Sequence, residues 1–449
     1  MNKLFGTDGV RGTANLEPMT SETAMKLGRA VAYVFKRREG RHQIVIGKDT
    51  RLSGYMLESA LVSGICSMGV DVQLVGPLPT PAIAFLARSL RADAGVMISA
   101  SHNPYQDNGI KFFSNDGYKL PDEMEARIEE LILTNEIEHI RPTAGEIGKA
   151  FRIDDAEGRY IEFVKRSLPR EMDFQGLRVV LDCANGAGYH VFPKVIQELG
   201  AKVWVIGDQP DGTNINLACG TVYPEKLQEA VCEHQADIGI ALDGDADRCM
   251  FVCEQGQVVD GDHALAAFAL DLKDRGLLKQ NTVVGTVMSN FGFEAAMTQA
   301  GITLERTPVG DRHILDRLVK GDLSLGGEQS GHMIFRDFHT SGDGLISGLQ
   351  MLKLMKRTGR RLSVITQCMK AVPQVLLGVK VPHKPDLESL PQLQQAITVS
   401  RQRLNGTGRV LVRYSGTEPL VRVMVEGQSD SMIQEVAEEL VSVVKSCIT

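Results

Sequence analysis

Seven strand-length apolar runs recur along the chain, QIVIG, VQLVG, GVMIS, RVVLD, KVWVI, DIGIAL and VVGTV, separated by segments of helical period such as Ala24, Leu27, Val31, Val34. A strand with one wet face alternates apolar and polar residues. Continuous apolar runs belong to strands buried on both faces, and the intervening helices supply the cover. The chain is therefore expected to be α/β, with parallel or mixed sheets sandwiched by helices. Its 449 residues exceed what one hydrophobic core holds, so the pattern repeats over several domains.

Polar, poorly periodic stretches mark the boundaries: NEIEHIRPTAGEIGKAF near 150, CEQGQVVDGD near 255 and KAVPQVLLGVKVPHKPDL near 370. They predict α/β domains over 1–150, 151–255 and 256–369. The remainder, 370–449, reads strand, helix, strand, strand, helix and is expected to be a smaller α+β domain. Each α/β segment ends a strand in a Gly-rich polar turn, which is where open α/β sheets bind ligands.

With 49 Lys+Arg against 56 Asp+Glu, a net charge of -7 and no long basic run, nucleic acid is excluded as a partner. The opening MNKLFGTDGVRGT lacks an apolar leader, and no stretch approaches the roughly 20 apolar residues of a membrane span. A soluble, cytoplasmic protein is expected. The eight cysteines contain no C-x-x-C pair, so they read as reduced, buried thiols rather than a zinc site.

Four loops carry chemistry. In SASHNPYQDNGIK, Ser101 follows a buried strand, His102 adjoins it, and Lys111 returns on a second turn. A serine hydroxyl becomes a nucleophile only beside a base or a metal ion. The same residues also suit a plain turn capped by Ser101 and Asn103 before Pro104. In ALDGDADR, Asp243, Asp245 and Asp247 end a strand at spacing i, i+2, i+4. Converging carboxylates repel unless a cation lies among them, and an all-oxygen set favours magnesium or calcium over zinc. An EF-hand is excluded, because Arg248 occupies the position that must be glycine and the flanks read as strands. Magnesium usually completes its shell with water and phosphate oxygen, so this site calls for a phosphoryl partner; the alternative is a solvated acidic turn.

In LGGEQSGH, paired glycines set Glu328 and Ser330 on a tight turn with His332 just beyond, suited to sugar hydroxyls or simply a Gly-rich turn. In RYSGTEPLVRV, Arg413 and Arg422 frame Ser415, Gly416 and Thr417. Two guanidinium groups around hydroxyls and backbone N–H groups form a phosphate cradle, unless the segment is a hairpin with exposed arginines. One such loop falls in each expected domain. Together they describe a cleft closing over a phosphorylated, hydroxyl-rich small molecule.

From FGTDGVRG through SASHNP, DGDADR and GEQSGH to RYSGTEPLVRVMVEG, the whole chain resembles the α-D-phosphohexomutase superfamily, and within it the bacterial branch that acts on glucosamine phosphates. The resemblance implies that Ser101 is phosphorylated in the active enzyme and that magnesium, one ion per site, is held by Asp243, Asp245, Asp247 and phospho-Ser101. It implies interconversion of glucosamine 6-phosphate and glucosamine 1-phosphate, a step toward amino-sugar nucleotides and cell-wall precursors. The route runs through a sugar 1,6-bisphosphate that is both intermediate and activator. Lys111 and Arg248 would offset charge on the moving phosphoryl group, and His102, Lys111 and His332 are the candidate proton carriers. Arg11 would contact phosphate. Gly310 and Asp311 of TPVGDRHI would face the sugar, although Asp311 also suits a helix N-cap before Ile314, Leu315 and Leu318. The competing activities are the same chemistry on glucose or mannose phosphates and, outside catalysis, a phosphosugar sensor. A monomer or homodimer is expected.

Overall fold

The computed structural model describes residues 4–6, 8–36, 40–415 and 420–448. Four sheets follow one another along the chain. The first runs in the order Val10–Thr13, Asp107–Ser114, Ala94–Ile98, Gln43–Lys48, Asp71–Pro77, Ala150–Arg152. Its central pairs are parallel, while Asp107–Ser114 is antiparallel to both neighbours. Ala150–Arg152 joins its edge by pairing parallel with Val72, Gln73 and Leu74, so the first sheet reaches past the boundary expected at 150.

The second sheet orders Val258–Val259, Cys249–Cys253, Ile238–Leu242, Arg178–Asp182 and Lys202–Ile206. The third orders Thr303–Thr307, Thr282–Thr286, Leu325–Gly327 and Met333–Phe335. Both are mixed. The last, Gln374–Lys380, Leu420–Glu426 and Arg409–Tyr414, is wholly antiparallel and packs on the helices Pro391–Arg403 and Asp430–Ile448.

The apolar runs explain this layering. Every residue of Ala94–Ile98 and of Ile238–Leu242 is buried, as continuous runs require. Helix Ser21–Phe35 starts where the Thr20 hydroxyl accepts the Thr23 N–H at 3.3 Å, and it turns Ala24, Leu27 and Val31 inward. One apolar cluster runs without a break from the first sheet (Val45, Met97) through the second (Leu181, Ile240) into the third (Val283, Leu325). The C-terminal unit buries a separate cluster around Val423, Leu393 and Leu440. Three domains are thus welded by shared apolar area, and the fourth is joined to the third largely through polar contacts such as Arg409 Nη2 to Ser289 O, 3.0 Å. The eight cysteines are free, with Cys183, Cys219, Cys249 and Cys253 buried and, contrary to a wholly buried set, Cys232 exposed. Among the described residues, no helix is long and apolar enough to cross a membrane.

Candidate active site

The site gathers the residues that follow the carboxyl ends of the central strands. Beyond Ile98 the chain turns sharply, and Ser101 adopts φ 54°, a left-handed conformation that costs a non-glycine residue about 1–2 kcal/mol. The turn is held from outside. Ser101 N donates to Ser99 Oγ at 2.9 Å, and Ser101 O accepts from Asn216 Nδ2 at 2.9 Å and Arg51 Nη2 at 3.2 Å. Its Oγ donates to Asp243 Oδ2 at 2.6 Å and lies 3.3 Å from His102 Nδ1. The hydroxyl therefore points across to the second domain instead of capping its own turn.

The two loops touch because residue 244 is glycine. A Cβ there would lie 2.5 Å from Ser101 O and 2.8 Å from Asn216 Nδ2. Gly244→Ala is expected to cost about 1–3 kcal/mol, as overpacking typically does, and to lower turnover by moving Ser101 off the aspartates; thermal denaturation and a phosphosugar assay check both.

Asp243, Asp245 and Asp247 bridge strands Ile238–Leu242 and Cys249–Cys253, each offering a carboxylate oxygen within 4.8 Å of the others. All three are buried. Asp245 Oδ2 accepts from Lys111 Nζ at 2.7 Å and Thr80 Oγ1 at 2.5 Å, and Asp243 Oδ1 from Arg248 N at 3.2 Å. The other oxygens of Asp245 and Asp247, both Oδ1, are buried without a hydrogen-bond partner. Buried carboxylate oxygens without a hydrogen-bond partner, in a cluster of three converging carboxylates, fit a hard divalent cation. Burial, then Asp247 and Asp245, push the Asp243 carboxyl well above the usual carboxylate range. Burial also works to raise Asp247, but Lys111, His332 and Arg248 outweigh it and hold that carboxyl well below.

Charges of both signs line the rest. Burial alone would discharge Lys111, yet Asp245, Asp8 and Asp247 keep it an ammonium. Lys111 thus presents a fixed positive charge to the carboxylates around it. Burial and Arg248 push His102 down to about 4, so at neutral pH its ring is uncharged. His332 is buried between Asp247 Oδ1, 3.7 Å from Nδ1, and Asp311 Oδ2, 3.7 Å from Nε2. Arg248 Nε lies 4.0 Å from Asp247 Oδ1 with its side chain partly exposed to the cleft. Arg11 pairs with Asp8.

The third-domain loop folds onto the same centre. Glu328 follows strand Leu325–Gly327; its Oε1 accepts from Gly310 N at 3.0 Å, and Ser330 Oγ lies 3.4 Å from its Oε2. The N-cap of helix Asp311–Lys320 is Gly310, at φ 125°, and Asp311 is the first helical residue. Its Oδ1 accepts the Arg312 N–H of the first turn at 2.8 Å, and its Oδ2 pairs with Lys119.

Arg413 and Arg422 lie on the fourth sheet and Ser415 just beyond it, and Gly416 and Thr417 fall outside the described residues. Arg413 and Arg422 stand directly opposite on adjacent antiparallel strands. Burial and the Arg422 charge pull the Arg413 guanidinium below its ordinary value. Like charges in register destabilise a strand pair unless an anion lies between them. Arg413 Nη2 faces Met288 Sδ at 3.6 Å, at the junction with the third domain.

Sequence reasoning missed Asp8, Asp49, Arg51, Thr80, Lys119 and Asn216. The fully buried Arg51 pairs with Asp49 and holds the Ser101 turn. Its signal was present: GKDTR ends a buried strand in paired opposite charges, just as the other loops do. Asn216 and Lys119 carried no comparable local mark.

In chain order, the protein matches phosphoglucomutase/phosphomannomutase alpha/beta/alpha domains I (residues 2–139), II (158–256) and III (260–372) and the C-terminal domain of that family (376–443). The phosphoglucosamine mutase of Syntrophotalea carbinolica is 59% identical over 444 residues, which cover 99% of this chain and 97% of that one. Among solved structures, a phosphoglucomutase/phosphomannomutase family protein of Burkholderia thailandensis shares the fold with a TM-score of 0.81 at 23% identity, over 99% of this chain and 97% of that one. So does the N-acetylphosphoglucosamine mutase of Aspergillus fumigatus, solved with GlcNAc-6P and magnesium, with a TM-score of 0.69 at 19% identity, over 99% and 96%.

Proposed function

The chain belongs to the phosphoglucomutase/phosphomannomutase family, and from that premise we propose that it interconverts glucosamine 6-phosphate and glucosamine 1-phosphate through a phosphoserine at Ser101 and a glucosamine 1,6-bisphosphate. One observation carries the reading: Ser101 Oγ, on a strained turn of the first domain, stands 2.6 Å from Asp243 in a buried three-carboxylate cluster of the second. The choice of amino sugar rests on 59% identity with a relative of that name.

Asp243, Asp245, Asp247 and the phosphate on Ser101 would hold magnesium, which supplies charge neutralisation to a phosphoryl group in transit. In the first transfer the bond from Ser101 Oγ to phosphorus breaks as one forms to the free sugar hydroxyl, and the hydroxyl's proton ends on Ser101 Oγ. In the second, the substrate's original phosphate passes to Ser101, whose hydroxyl proton ends on the sugar oxygen that the phosphate leaves. Lys111, held charged by Asp245, Asp8 and Asp247, offsets the developing negative charge with Arg248. Arg11 contacts phosphate near Ser101. Glu328, Ser330 and the Gly310 backbone read ring hydroxyls from the third domain.

Arg413, Ser415, Gly416, Thr417 and Arg422 grip the phosphate that is not reacting. The phosphate relieves the repulsion between the two arginines, and the separately cored domain that carries them has room to swing as the bisphosphate turns over. Arg422→Gln is expected to weaken phosphosugar affinity roughly 10–100-fold, the worth of one charge-assisted hydrogen bond, and to leave magnesium affinity unchanged. Calorimetric titrations with each ligand check it; equal loss of both would contradict the division of labour.

Mass spectrometry across 95–111 tests the cycle. Phosphate on Ser101, discharged by glucosamine 6-phosphate and restored by glucose 1,6-bisphosphate, is the expected result. A Ser101 that no bisphosphate can phosphorylate would sink the mechanism, and faster turnover of glucose or mannose phosphates would move the assignment to a sister activity.

A further inference from the structure

Six groups of alternating charge close a ring that passes through Asp247 of the site. Asp247 meets Lys111 at 3.5 Å, Lys111 meets Asp8 at 3.3 Å, Asp8 and then Asp311 meet Lys119, and Asp311 meets His332 at 3.7 Å, as His332 meets Asp247. The ring passes through all three welded domains. Lys119 is its link between the first and the third, and it touches none of the three clustered aspartates.

Several contacts fix where that ammonium stands. Phe113 bridges Lys119 in antiparallel register, tying it to the strand that carries Lys111. Thr340 Oγ1 donates to Gly117 O at 2.8 Å, and Arg312, beside Asp311, reaches Leu120 O at 2.7 Å and Glu125 at 3.0 Å. The Lys119 side chain is only 13% exposed, and no sequence motif marked it. On the other side, the turn it grips through Asp311 presents Gly310 N to Glu328.

We propose that Lys119 is a positioning residue for phosphoryl transfer: by bridging Asp8 and Asp311 it sets the sugar-reading turn of the third domain at a defined distance from Ser101. Asp311 then serves as the anchor of that turn, and the backbone of Gly310 with Glu328 meets the sugar. This rests on the phosphohexose reading of the site, since it assigns the turn a sugar to hold. Lys119 acts through Asp311 and transfers no proton.

The test pairs two readouts on the full-length protein. Lys119→Met is expected to lower kcat on glucosamine 6-phosphate about 100-fold, the cost of roughly an ångström of misplacement, with a much smaller change in KM because the arginine grip is intact. Lys119→Arg should restore most of it. Asp311→Asn, which leaves Lys119 paired with Asp8, should reproduce the loss, and the double variant should be no worse than the larger single one. Losses that multiply would show independent roles and overturn the proposal. The second readout needs no turnover: amide hydrogen exchange of the ligand-free protein should quicken across 308–312 in Lys119→Met and in Asp311→Asn, while helix Ser21–Phe35 stays unchanged. Unchanged exchange at 308–312 in both variants would equally overturn it. If the unaltered protein isomerised no hexose phosphate but the exchange changes held, the substrate reading would fail and the Lys119–Asp311 anchor would stand. Should Lys119→Met not fold, Asp311→Asn decides both readouts.

Discussion

Ser101→Gly is expected to be more stable than Ser101→Ala by about 1 kcal/mol while both are inactive. Either change removes the hydroxyl and its 2.6 Å bond to Asp243, so that loss cancels in the comparison. What differs is the backbone. At φ 54° an alanine keeps the left-handed strain of about 1–2 kcal/mol, which glycine does not feel. Glycine normally ranks below alanine because it frees the unfolded chain. Reversal of the order, read by thermal or denaturant unfolding, would therefore report strain stored at the reacting residue. Turnover should fall on the order of 10⁶-fold in both, as it does when a serine nucleophile is removed. Equal stabilities would mean that the turn relaxes without its serine, and residual turnover would mean that Ser101 does not carry the phosphoryl group.

Removal of the divalent cation is the second large effect, and it has opposite signs for function and for one variant's stability. Chelation should abolish turnover by at least about 10³-fold, since a bound cation is worth several kcal/mol to a phosphoryl transition state. It should also lower stability by about 2.7 kcal/mol relative to protein at a cation concentration 100 times the dissociation constant. In the chelated protein at neutral pH, Asp243→Asn should be stabilising, because the amide spares folding the cost of protonating a carboxyl that burial, Asp247 and Asp245 raise above its unfolded value. With the cation present the same variant should be the less stable and less active protein. Melting curves of both proteins, with chelator and with magnesium, should cross over.

A pH dependence follows from the same carboxyl. Burial and its neighbours raise Asp243 above its unfolded value, so between the two values the folded, cation-free protein holds a proton that the unfolded chain releases. Stability of the chelated protein is therefore full below the unfolded value and declines as pH rises toward the folded one. Binding the cation expels that proton, so magnesium affinity should increase with pH over the same window. Magnesium titrations at several pH values check the sign.

How much of this was legible in the sequence depends on the distance over which each residue acts. Ser101, the three aspartates, Glu328 and Arg413 each follow or end a strand whose apolar run is visible locally. Their chemistry could be read from a few neighbours. Thr80 and Asn216 could not, because each meets its partner more than a hundred residues away, Thr80 on Asp245 and Asn216 on Ser101. Asp311 shows both sides. A helix start was legible from Ile314, Leu315 and Leu318, but the cap is Gly310; Asp311, one residue into the helix, holds the Arg312 N–H through Oδ1 and pairs through Oδ2 with Lys119, 192 residues away.

The sequence by itself determined the α/β class and the distinct terminal domain, and it marked Ser101, the three-aspartate turn and the paired arginines as candidates, because strand burial and loop chemistry are written in short-range pattern. Only the tertiary structure decided that three domains share one apolar cluster while the fourth keeps its own, that Ser101 is strained toward Asp243, and that charges from three domains close a ring that includes Asp247. The reason is physical: burial depends on period along the chain, whereas electrostatic pairing depends on separation in space, which no local pattern encodes.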